Sequence, residues 1–236
     1  MSKVEMEILK EKGVEFEEKK DGIILTGVPT EWEGTFEIPD GVTEIGVGAF
    51  ESCMLLQEIV IPESITKIGL NAFFMCKGLK EINIPNSVTK IDAFAFSGCE
   101  SLKKINIPNS VDEFGTGAFY NCKSLQEIVI PDNFIDICGS TFFGCSNLMV
   151  VSLPKCIVKI GYHCFDGCDS LKTIYTQDKN FKENLNESKD EPWFKLLKYK
   201  KAEKNYGSKT SLNAVKVNNK KSLCGRVKNS DGECKN

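Results

Sequence analysis

Between Ile38 and Tyr175 the chain arranges its apolar and polar positions on a pattern that returns every 23 residues. Six copies start at Ile38, Ile61, Ile84, Ile107, Ile130 and Leu153, and no gap separates them. Proline is second in every copy (Pro39, Pro62, Pro85, Pro108, Pro131, Pro154), and one column is always phenylalanine (Phe50, Phe73, Phe96, Phe119, Phe142, Phe165). Cysteine follows three residues later (Cys53, Cys76, Cys99, Cys122, Cys145, Cys168), and leucine three after that (Leu56, Leu79, Leu102, Leu125, Leu148, Leu171). A fixed period in the twenties predicts a solenoid whose coils stack only on their neighbours.

Within one copy, Leu79, Ile82 and Ile84 follow L-x-x-L-x-L. That is the alternation of a short strand, paired in parallel with the next coil. Pro85 ends it, because proline has no N–H to donate to a ladder. Val88 and Ile91 return inward on the next side of the coil. Phe96, Cys99 and Leu102, at i, i+3 and i+6, predict one helical or 3₁₀ turn. A lone coil buries too little to offset the entropy of ordering its backbone, so the coils must stabilise one another.

The copies share I-P-x-S-V-T-x-I-G-x-x-A-F-x-x-C-x-x-L-x-x-I-x-I-P, which resembles the BspA-like leucine-rich repeat family, known from surface antigens of gut and oral bacteria and from anaerobic protists. The resemblance covers residues 38–175 and drifts in the last two copies. There Cys138 stands for glycine, Thr141 and Cys164 for alanine, and Phe134 and Ile157 for valine. It implies a right-handed leucine-rich-repeat solenoid used for adhesion or protein binding, and it implies no chemistry.

The flanks read as caps. Val4, Met6, Ile8 and Leu9 predict a short amphipathic helix within residues 1–13. Residues 14–37 predict a hairpin around Lys20, Asp21 and Gly22, followed by a third run at Phe36, which stands 23 before Ile59. Residues 1–37 thus form an N-terminal β-hairpin cap on repeats 38–175. Beyond them, Ser188 and Glu191 resemble a capping box, Pro192 suits a first turn, and Trp193, Phe194, Leu196 and Leu197 supply an apolar side. A capping helix over 188–205 is expected, ended by Gly207, within a C-terminal region 176–207. Residues 208–236, rich in Lys, Asn and Ser, are expected to be disordered.

Composition narrows the setting. The chain has 236 residues, 41% hydrophobic and 27% charged. It shows no apolar h-region at its start and no 18-residue apolar run, so neither a secretory signal nor membrane insertion is expected. The expected location is cytoplasmic, with surface display by another export route as the alternative the family resemblance favours. The net charge of -3 divides into +7 for residues 176–236 and -10 for the rest. The basic tail admits a nucleic-acid partner as a third reading, but Arg226 is its one arginine, which supplies bidentate phosphate recognition poorly.

Eleven cysteines invite metal or disulfide chemistry. The six ladder thiols point the same way about 4.8 Å or more apart, whereas bonded Cβ atoms prefer about 3.8 Å. They read as small buried hydrophobes. Cys138, Cys145, Cys156, Cys164, His163 and Cys168 crowd the last two coils at different columns, without the convergence zinc needs. Cys224 and Cys234 are expected reduced. His163 is the sole histidine and reads as structural, and no glycine-rich phosphate loop occurs. No cofactor, metal or enzymatic activity is expected.

Binding is assigned to the outward strand positions: Glu58 and Val60, Glu81 and Asn83, Lys104 and Asn106, Glu127 and Val129, Val150 and Ser152, Thr173 and Tyr175. An unidentified protein ligand is expected to lie across them, bound by a monomer. The side carrying Phe74, Tyr120 and Phe143 is a second candidate. Because the phenylalanine column is predicted to be the centre of the core, Phe96→Ala is expected to cost about 3–5 kcal/mol. A denaturant melt showing a loss under about 1 kcal/mol would place Phe96 outside the core.

Overall fold

The computed structural model describes residues 3–112, 114–185 and 189–200. The N-terminal segment folds as α1 (Lys3–Glu11), β1 (Glu15–Lys19) and β2 (Gly22–Gly27). Each coil then contributes to two rows of short strands. One row holds β3 (Gly34–Glu37), β5 (Leu56–Val60), β7 (Glu81–Asn83), β9 (Lys104–Asn106), β10 (Glu127–Val129), β12 (Val150–Ser152) and β14 (Thr173–Thr176). The other holds β4 (Val42–Ile45), β6 (Lys67–Ile68), β8 (Lys90–Ile91), β11 (Asp136–Ile137) and β13 (Lys159–Ile160).

Pairing within the rows is parallel and offset by one repeat: Phe36 lies beside Ile59, Ile82 beside Ile105, Val151 beside Ile174, and Ile45 beside Ile68. The expected place of Phe36 in the first strand is therefore the observed one. The hairpin joins the second row, since β2 pairs antiparallel with β1 and in parallel with β4. In the first row the ladder is interrupted between β5 and β7 and again between β9 and β10.

The core is a stack of phenylalanine rings. Phe50, Phe73, Phe96, Phe119, Phe142 and Phe165 follow one another at centroid separations of 4.9, 5.2, 5.5, 5.5 and 5.7 Å, with planes within 12° of parallel. Aromatic pairs at such offsets contribute about 0.5–1.5 kcal/mol each beyond area burial. Both ends are closed edge-on, by Phe36 against Phe50 at 5.1 Å and by Trp193 against Phe165 at 5.5 Å.

The backbone around each phenylalanine departs from the expected helical turn. Two columns have positive φ: Gly48, Asn71, Phe94, Gly117, Ser140 and His163, and then Ser52, Met75, Gly98, Asn121, Gly144 and Gly167. A left-handed residue on each side of the phenylalanine prevents a helix, and the amides turn along the stacking axis instead. Thus the Phe94, Phe96 and Gly98 amides donate to the Thr116, Ala118 and Tyr120 carbonyls of the next coil at 3.0, 2.8 and 2.7 Å. Bulky residues in these columns are matched one coil later by glycine. The Met75 thioether occupies the space a Cβ on Gly98 would need, and the Phe94 ring does the same over Gly117.

The C-terminal cap also differs from expectation. The helix predicted over 188–205 is a 3₁₀ turn (Pro192–Leu196) leading into β15 (Leu197–Tyr199), preceded by a single turn, α2 (Phe181–Asn184). Leu197 pairs with Ile174 and Lys198 with Tyr175. The open edge of β14 offers unpaired N–H and C=O groups, and satisfying them outweighs a helix of marginal length. Ser188, half of the anticipated capping box, and the expectations for residues 201–236, with Cys224 and Cys234, lie outside the described residues.

Gly98→Ala and Gly34→Ala separate strain from contact, since both glycines have positive φ but only Gly98 faces a neighbour that fills the Cβ site. Gly34→Ala is expected to cost about 1 kcal/mol from backbone conformation alone, and Gly98→Ala at least about 1 kcal/mol more from displacing Met75. Equal losses in denaturant melts would show that the Met75 contact carries no weight.

Candidate functional site

The strands β5, β7 and β9 each bury one isoleucine and turn its neighbours outward, a consequence of the twofold alternation along a strand. Where the ladder breaks between β5 and β7, an open groove of about 580 Å³ crosses the three coils, lined by Gln57, Glu58, Lys80, Glu81, Asn83, Lys104 and Asn106 over the backbone of Ile59 and Ile82. It brings together Glu58, Glu81, Asn83, Lys104 and Asn106 of the anticipated positions. Gln57 and Lys80 were not anticipated. The signal for Gln57 is the pair of consecutive polar residues between Leu56 and Ile59, both of which face out where the pairing of β5 with β3 shifts register.

The remaining anticipated residues scatter. Val60 is 46% and Val129 66% exposed, and Glu127 is exposed beside Val129, but none of the three lines the groove. Val150 and Ser152 are half-buried. Tyr175 is half-buried with the Lys200 ammonium 5.5 Å above its ring. Thr173 is buried instead of outward, and Lys198 Nζ from β15 donates to its hydroxyl at 3.5 Å.

Electrostatics distinguish the two strand rows. On the second row Lys67 Nζ lies 2.8 Å from Glu44 and 3.4 Å from Asp92, and Lys90 lies 3.1 Å from Asp92. The hydrogen bond from Lys67 to Glu44 raises the lysine's pKa. On the groove, Lys80 Nζ donates to Gln57 Oε1 at 3.0 Å and Thr35 Oγ1 to Glu58 at 3.4 Å. The side chains of Glu81, Asn83, Lys104 and Asn106 hold no hydrogen bond or ion pair among the described residues.

The cysteine ladder is buried, and its members carry free thiols. Beyond acting as small hydrophobes, they bond between coils: Cys76, Cys99, Cys122, Cys145 and Cys168 donate Sγ–H to the Phe50, Phe73, Phe96, Phe119 and Phe142 carbonyls at 3.0–3.2 Å. Burial pushes the Cys53 thiol up to about 11 and those of Cys76, Cys99, Cys122 and Cys145 higher still, so they stay protonated and poor nucleophiles. His163 is exposed, its Nδ1 2.7 Å from Asp166 Oδ2. Among the described residues no three His, Cys, Asp or Glu side chains converge to hold a metal ion, and no helix is long and apolar enough to cross a membrane. On the second candidate side, Phe74, Tyr120 and Phe143 are half-buried, the last two stacked at 4.8 Å.

Comparison with known proteins agrees with this architecture. The family model described as BspA type leucine rich repeat region matches six copies, over residues 34–149 and 66–188. A leucine-rich repeat protein of Bacteroides ovatus is 32% identical with a TM-score of 0.64, covering 69% of this chain and 45% of its own. The T. pallidum leucine rich repeat protein is 27% identical with a TM-score of 0.60, over 67% of this chain and 87% of that one. A leucine rich cell surface protein of Faecalibacterium prausnitzii is 26% identical with a TM-score of 0.54, over 72% and 40%. The chain thus spans less than half the length of the Bacteroides ovatus protein. No curated protein matches the sequence.

Proposed function

Because the chain belongs to the BspA type leucine-rich repeat family, we propose that it is a non-enzymatic protein-interaction module whose ligand lies across the row of strands β5, β7 and β9. The observation that carries this reading is the contrast between the rows. On the second row Lys67 pairs with Glu44 and Asp92 of the adjoining coils and Lys90 with Asp92, whereas Glu81, Asn83, Lys104 and Asn106 converge on a groove with their polar groups unengaged by other side chains. A rigid scaffold needs no such groups for its own stability, since exposed charges contribute little to folding. They are available to a partner without first breaking an internal bond. Thiols held protonated by burial favour a structural role over catalysis.

The Faecalibacterium prausnitzii relative, a leucine rich cell surface protein, favours a second setting, in which the same module is displayed outside the cell. The binding face is the same in both.

A photo-crosslinking residue placed at Val60 or Val129, and separately at Val47 or Leu70 away from the first row, tests the face in cells of the source organism. Adducts are expected from Val60 and Val129. Adducts confined to Val47 and Leu70 would overturn the assignment.

A further inference from the structure

The groove's lining also defines what it would take, on the premise that the first strand row is the binding face. Both signs of charge are present, Glu58 and Glu81 against Lys80 and Lys104, so a polyanion or polycation gains on one coil what it loses on the next. No aromatic ring lines it, which removes the stacking platform that sugars and single-stranded nucleic acids use. Asn83 and Asn106 sit side by side in register and present two carboxamides, each able to donate and accept. Carboxamides of that kind match the alternating N–H and C=O groups of a peptide backbone.

Spacing sharpens the match. The phenylalanine rings of these three coils are 4.9 and 5.2 Å apart, so the midpoint between Glu58 and Glu81 lies one and a half coils, about 7.5 Å along the stacking axis, from Lys104. In an extended peptide, side chains on one face recur every second residue, about 6.7 Å. We infer that the groove binds an extended peptide running along the stacking axis, with a basic and an acidic side chain two residues apart. The basic side chain sits between Glu58 and Glu81, the acidic one meets Lys104, and Asn83 and Asn106 bond the intervening backbone.

The test uses the full chain and labelled seven-residue peptides followed by fluorescence polarisation and by NMR shifts of the Asn83 and Asn106 side-chain amides. Gly-Ser-Lys-Ser-Glu-Ser-Gly, or the form with Lys and Glu exchanged, is expected to bind at least about tenfold tighter than a peptide with the two charges adjacent or one with serine at both. Lys104→Glu is expected to lower that affinity about tenfold and to shift preference to Gly-Ser-Lys-Ser-Lys-Ser-Gly. The substitution is on an exposed side chain, so a far-ultraviolet spectrum unchanged from the parent separates lost binding from lost fold. No preference for the two-residue spacing, or binding of heparin or maltohexaose in place of the peptides, would overturn the inference. If crosslinks still form at Val60 and Val129, that failure leaves the binding face standing. Crosslinks confined to Val47 and Leu70 would remove both.

Discussion

The structure depends on contact between one coil and the next. Rings in the phenylalanine column stack on each other, three amides around each phenylalanine from Phe50 to Phe142 donate to the following coil, and the cysteine thiol returns a bond to the preceding one. All three interactions run along the same axis, and none can form inside an isolated coil. Backbone satisfaction and core packing are therefore the same event. A buried amide left without its partner would cost about as much as the hydrogen bond contributes, or more.

A stack of this kind has two open ends, and aromatic residues close both. Phe36 with Trp32 abuts Phe50, and Trp193 abuts Phe165. At the C-terminal end the closure leaves the Trp193 indole N–H buried without an acceptor among the described residues. Covering the last ring and the edge of β14 outweighs that loss. Rigidity gained this way holds Glu58, Glu81, Asn83, Lys104 and Asn106 at fixed coil intervals, on which the proposed binding surface rests.

Much of this was legible in the sequence, because a 23-residue period with invariant proline and phenylalanine leaves one way to stack the copies. The outward positions followed from strand alternation, and five of them line the groove. The left-handed columns were not legible. Gly48, Asn71, Phe94 and Ser140 share a conformation but no chemistry, since the next coil's carbonyl imposes it more strongly than side-chain preference resists it. The C-terminal cap misled for a related reason: Trp193, Phe194, Leu196 and Leu197 fit a helical spacing, but tertiary pairing with β14 decided the outcome. The groove itself depends on a local break in the ladder, which periodicity does not encode.

Native-state hydrogen exchange tests the central dependence on neighbouring coils most directly. The Phe73, Phe96 and Phe119 amides, each bonded to the following coil at 2.8–3.0 Å, are predicted to exchange with one common free energy, equal to that of global unfolding by denaturant melt. Three distinct free energies well below that of global unfolding would mean that the coils open singly, and would contradict the account.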